Sequence, residues 1–175
     1  MGVQTTYGTH QSIAFAGMLA DSSDDHDIKP MINREVSAEI AFGRAVKFGS
    51  TTDETSALLP DSENAKIAGI LCHSHGYTHG YTGADLGDIG LKPGSVMNVL
   101  RKGRVWVIVE DDTLIGDRLW VRGQADGDPE FLGGLCVADD STDTVDCTNQ
   151  GVFVSAASAG GLAILEVDFT NKPGI

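Results

Sequence analysis

The sequence predicts an all-β fold: a compact β-barrel or β-sandwich, with a jelly-roll-like arrangement among its forms, and an extended N-terminal arm. Three observations carry this. Glycine is abundant, with 22 among 175 residues, and it favours turns over long helices. Short apolar stretches rich in Val and Ile recur roughly every 8–15 residues, the spacing of strands joined by turns. No stretch shows the 3.6-residue periodicity of an amphipathic helix over three turns. Aromatic residues are sparse at 6%, so the core is expected to rest on Val, Ile, Leu and Ala.

Residues 1–35 read as the arm and 36–175 as the β-domain. In the arm, Phe15, Met18 and Leu19 form an apolar island. The run DSSDDHD at 21–27 then concentrates like charges, which disfavours a packed element. EIAFGRAVKFG (39–49) alternates loosely around Gly43, and KIAGILCHSHG (66–76) has a strand-like centre at Ile67–Cys72. SVMNVLRKGRVWVIVE (95–110) reads as two strands joined at Lys102-Gly103, with Val105, Val107 and Val109 on one face. GDRLWVR (116–122) turns into a strand, and EFLGGLCVAD (130–139) reads as a strand bulged at Gly133-Gly134. GVFVSAAS (151–158) and GLAILEVDF (161–169) complete the set. In the latter Ala163, Leu165, Val167 and Phe169 share one face, and Leu162, Ile164, Glu166 and Asp168 the other.

The net charge of −13, from 12 basic and 25 acidic residues, argues against nucleic acid as a partner, because phosphate binding relies on Lys and Arg to release counterions. It argues equally against an anionic membrane. Cys72, Cys136 and Cys147 are odd in number and lack CxxC spacing, which points to reduced thiols rather than a disulfide framework. There is no apolar run of membrane-spanning length, and the N-terminus lacks the basic and apolar regions of a signal peptide. Met1-Gly2 with Thr6 fits a myristoylation pattern, but no polybasic patch accompanies it.

LCHSHGYTHGY (71–81) is the stretch most suggestive of chemistry. His73 and His75 would share one face of a strand, and His79 follows within reach. These three are the metal-ligand candidates, with Asp85 or Asp88 as a completing carboxylate. A cupin-like metal-binding barrel enzyme is the alternative function they raise. Such a site wants a further histidine on a later strand, and none follows His79; His10 and His26 lie in the arm. Loop histidines are the favoured reading, with no resident metal or other cofactor. The acidic runs DGDPE (126–130) and DDSTDTVD (139–146) lack EF-hand spacing. No GxSxG elbow, P-loop or dinucleotide fingerprint occurs. Cys72 and His73, adjacent on a strand, point to opposite faces and cannot act as nucleophile and base. No catalytic residue is assigned, and the chain reads as a non-enzyme. Trp106, Trp120, Tyr77 and Tyr81 are the stacking candidates for a third reading, an exterior glycan-binding module.

The segments REVSAEIAFGRAVKFG, AKIAGILCHSHGY, GLKPGSVMNVLRKGRVWVIVED, GDRLWVR and SAASAGGLAILEVDF, in this order, together with QSIAFAGMLADSSDDHD near the start, resemble the capsid decoration or structural cement proteins of tailed bacteriophages. The likeness runs from about residue 10 to 170, in the order and spacing of the segments rather than in any single motif, and is least in the acidic loop 139–150. It implies a non-enzymatic virion protein, made in the host cytoplasm, that binds the outer surface of an assembled shell and clamps neighbouring capsomers. The implied partners are the major capsid protein and further copies of the chain, as dimer or trimer. Phe15, Met18 and Leu19 are the expected capsid contacts.

Overall fold

A computed structural model describes residues 14–22, 25–50, 52–73, 90–124 and 131–170. Its strands are β1 (Asp27–Asn33), β2 (Ile40–Ala41), β3 (Ala45–Phe48), β4 (Ser56–Leu58), β5 (Ile67–Cys72), β6 (Gly90–Leu91), β7 (Val96–Ile108), β8 (Trp120–Arg122), β9 (Leu135–Cys136), β10 (Thr144–Asp146), β11 (Gly151–Phe153) and β12 (Leu162–Asp168). No helix occurs among the described residues, so the expected all-β class holds.

The first half closes into a five-stranded barrel. The order β1-β4-β3-β5-β7 returns on itself because β1 pairs both with β4, in parallel, and with β7, antiparallel. Its interior is filled by Met31, Val46, Ala57, Ala68, Leu71, Met97 and Val99, with Ile40 of β2 and Leu91 of β6 in the same cluster. Asn33 is wholly buried. Its side-chain amide donates to the Leu91 carbonyl at 2.8 Å and its carbonyl oxygen accepts from the Glu35 amide at 2.9 Å, so a buried polar group is satisfied on both sides.

The second half runs β7-β12-β11, with a separate three-stranded sheet ordered β10-β8-β9. Single bridges, Val109 to Leu135 and Arg118 to Val152, join that sheet to both ends and complete a second ring. Val105, Val107, Val109, Leu119, Val121, Leu135, Phe153, Ala163, Leu165 and Val167 fill it. Ala45, Ile70, Cys72 and Leu100, on the outside of the first barrel, belong to this second core as well. Fully burying each such aliphatic side chain is worth about 1.5–3 kcal/mol.

One strand serves both cores. In β7, Met97 and Val99 face the first barrel, while Leu100 and then Val105, Val107 and Val109 face the second. The side-chain parity therefore slips by one between Leu100 and Val105. The pairing with β1 slips at the same place: Asp27 stands opposite Lys102 and Ile28 opposite Leu100, leaving Arg101 as the extra residue of a bulge. Gly103, at φ +132, follows it. The hairpin expected at Lys102-Gly103 is thus a correction: the chain does not reverse but runs on as one bent strand of 13 residues. A second correction concerns Gly133-Gly134. The strand there is only Leu135–Cys136, and Gly133, at φ +75, sits in a turn whose carbonyl accepts from the Ala45 amide at 2.9 Å.

The stretch placed by sequence in the arm contributes to this framework. Residues 27–33 form β1. Further upstream, the Gly17 amide donates to the Trp106 carbonyl (2.7 Å), Trp106 donates to Met18 (2.8 Å) and Ala20 to Arg104 (2.9 Å). Leu19 bridges Val105. Residues 17–20 thus lie along β7 as one more short antiparallel strand.

Candidate functional site

The three expected contact residues lie close together but face differently. Phe15 is 46% exposed, and its ring stands edge-on to His73, centroids 4.5 Å apart. Phe42 meets the same imidazole from another side at 4.7 Å. The His73 amide donates to the Gly17 carbonyl at 2.8 Å, tying the end of β5 to the upstream segment. Leu19 packs against the second core. Met18 and Ala20, which alternate with Leu19, stand on the opposite, outward side.

His73 is the described member of the histidine cluster, and it is an aromatic-packed residue at the end of β5. His75, His79, Tyr77, Tyr81, Asp85 and Asp88 lie outside the described residues, as does the acidic run 126–130. Among the described residues, no group of three His, Cys, Asp or Glu is placed to hold a metal ion. In the acidic run 139–146, Asp140 pairs with Arg122 at 2.7 Å, and Asp139 accepts from the Thr144 hydroxyl at 3.2 Å. Burial pushes the thiols of Cys72, Cys136 and Cys147 up to about 12, which disfavours the nucleophilic thiolate.

The outward face of the second sheet was not singled out by sequence. Register places Trp106 opposite Ile164 and Ile108 opposite Leu162. Val154, whose amide donates to the Ile164 carbonyl at 2.9 Å, extends the row, and Met18 adjoins Trp106 from the other side. Because Val105, Val107, Ala163 and Leu165 point into the core, these residues point away from it. All are partly exposed, Ile108 at 54%. Trp120, on β8, is also half-buried. An antiparallel sheet with one solvated face normally reads polar on that face; here the face is apolar across three strands and the added segment. The available signal was Trp106 and Ile108 on the side of the strand opposite Val105 and Val107, and Leu162 and Ile164 on the side of β12 opposite the core.

Charge gathers at one end of this face. Glu166 Oε2 lies 2.7 Å from Arg104 Nη2 across β12 and β7, and this pairing raises the guanidinium further above its ordinary value. Beside it, a cleft of about 510 Å³ is lined by groups of both signs, among them Asp21, His26, Lys102, Arg118 and Asp168. His26 Nε2 is 2.8 Å from Asp21 Oδ1.

The family model described as "Structural cement protein (E217 gp24/Pam3 gp6)" matches residues 3–168. Among solved structures, the chain is similar to one titled "The capsid of Myoviridae Phage XM1", with 18% identity, a TM-score of 0.69, and coverage of 96% of this chain and 98% of that one. At that identity the likeness speaks for the fold. No curated protein matches the chain.

Proposed function

The chain belongs to the structural cement protein family of bacteriophages and is a capsid-associated structural protein; from that premise we propose that it binds the outer surface of the assembled shell and holds neighbouring capsomers together against the pressure of packaged DNA. Its partners on this reading are the major capsid protein and further copies of itself, with no nucleic-acid or membrane contact, and it is made in the host cytoplasm. It has no catalytic role. A net charge of −13 suits the outside of the shell and opposes a position against DNA.

The observation that carries the reading is the upstream segment. Leu19 and the backbone bonds to Arg104 and Trp106 seat residues 17–20 on β7, while Phe15 and Met18 stay at the surface. Two apolar side chains held in place before binding lose little freedom on contact. A rigid pair of barrels behind them transmits load between capsomers.

The test uses shells that lack the protein, incubated with the full chain and then sedimented. Wild type is expected to co-sediment at saturating occupancy, and Phe15→Ser/Met18→Ser to bind roughly tenfold or more weakly. Equal occupancy of that variant would remove these two residues from the interface. Absence of wild-type binding would remove the outer-surface reading itself. Side-chain variants are preferable to deleting residues 1–30, because that deletion takes Asp27–Pro30 out of β1 and opens the barrel.

A further inference from the structure

We propose that the outward face formed by Trp106, Ile108, Val154, Leu162 and Ile164 is the contact between two copies of this chain, related by a twofold axis. The proposal deepens the self-association named above by assigning it a surface.

The face is continuous. Its rows follow the register Trp106–Ile164 and Ile108–Leu162, extended by Val154 beside Ile164. Other exposed apolar groups are dispersed: Val36 stands alone in a loop, and Leu114 and Ile115 form the tip of one turn between Asp112 and Asp117. Scattered exposed aliphatics are ordinary, whereas a contiguous apolar face is a feature of interaction sites.

Charge selects the occupant. Each copy carries −13, so two copies repel over most of their surface and meet best where local charge cancels. At its margin this face holds two cross-strand pairs of opposite charge, Arg104 with Glu166 and Lys102 with Asp168; the Arg104 and Glu166 side chains are 49% and 45% exposed. In a twofold contact the same patch serves both partners, and Arg104 of each copy can meet Glu166 of the other. A face that is apolar at its centre and balanced at its margin is complementary to itself.

Topology excludes the main rival route. Unpaired sheet edges recruit neighbours by strand addition. Here residues 17–20 cover β7 beside Arg104–Trp106, and the bridge from Arg118 to Val152 covers β11. A neighbour of this sheet therefore meets its face.

The experiment is sedimentation equilibrium of the full chain. Wild type is expected to be a dimer at micromolar concentration, and Ile164→Asp to dissociate at roughly hundredfold higher concentration. Arg104→Glu and Glu166→Arg should each weaken self-association, and an equimolar mixture of the two should restore a heterodimer, because each unlike pair is then matched across the axis. Circular dichroism checks that the variants fold; the mixing result stands even where Ile164→Asp does not. A wild type that is monomeric at about 100 µM, an Ile164→Asp variant that dimerises as wild type does, or a mixture that stays monomeric would each overturn the proposal. Shell co-sedimentation is read separately: wild-type dimers that fail to bind shells would sink the outer-surface reading and leave this contact standing.

Discussion

The imidazole of His26 lies against Gly103, in the space that a Cβ on residue 103 would occupy. Gly103 also sits at φ +132, a conformation that L side chains rarely adopt. It follows the bulge at Arg101, where β7 passes from one core to the other. Gly103→Ala is therefore expected to destabilise the protein by about 3 kcal/mol, combining backbone strain with overpacking. Adding His26→Ala should recover the steric share and leave the strain. Urea unfolding of the two single variants and the double variant measures this. Strict additivity would show that His26 does not hold the position.

Much of the second half of the fold was legible because its strands obey period two. In β12 and the end of β7, apolar residues recur at every second position, and those residues line the core. The bend at Gly103 was not legible. A glycine with positive φ marks a two-residue hairpin or a bulge equally well, and the choice depends on partners distant in sequence: β1 beside one half of β7, β12 beside the other. β1 was hidden for a related reason. Pro30 interrupts its pattern and acidic residues precede it, yet Pro30 pairs with Asn98 where β4, which meets only Ile32 and Asn33, does not flank it. The outward apolar face was half-visible, in Trp106 and Ile108 on one strand and Leu162 and Ile164 on another. Its continuation through Met18 required knowing that residues 17–20 lie on β7.

Arg122 is 5% exposed and reaches Asp140 at 2.7 Å through Nη1 and Glu110 at 3.2 Å through Nε. Burial alone would lower its pKa; the hydrogen bond it donates to Asp140 and the charge of Glu110 outweigh that and hold it higher than usual. Glu110 in turn accepts from the Phe131 amide at 3.3 Å. Arg122→Met is expected to cost about 3 kcal/mol, because it removes the cation bonded to the largely buried Glu110 carboxylate and leaves it only the longer-range charge of Arg44. The double variant Arg122→Met/Glu110→Gln should recover part of that. Thermal unfolding of both variants tests it, and no recovery would mean that lost packing, not the stranded carboxylate, sets the cost.

The three buried thiols make a pH prediction. Their ordinary value is 9.0, and burial raises each to about 12. The unfolded chain thus releases these protons first as pH rises. Their stabilising effect is complete below about pH 9 and is lost progressively toward pH 12. Stability should fall across that window, and replacing Cys72 and Cys147 with Ala should flatten the decline. In the same protein at pH 8, a thiol reagent should label none of the three before unfolding and all three afterwards. Rapid labelling of the native state would contradict the burial on which the prediction rests.

Leu19 and Met18 are neighbours with opposite expected roles. Leu19 turns toward the second core and bridges Val105; Met18 turns outward beside Trp106. Leu19→Ala should therefore loosen the upstream segment. Amide exchange at Gly17, Ala20 and Trp106, whose hydrogen bonds join the segment to β7, should accelerate, with a loss of about 1–3 kcal/mol in stability. Met18→Ala should leave those amides protected and change stability by less than about 1 kcal/mol, because its side chain fills no core space. Binding should show the reverse weighting. Met18→Ala weakens contact at the surface directly, whereas Leu19→Ala acts only by freeing the segment that presents Phe15 and Met18. A disulfide placed to hold the segment on β7 should then rescue Leu19→Ala and not Met18→Ala. Equal rescue of both would mean that residues 17–20 bind as a mobile arm, and that their seating on β7 is not what positions them for the partner.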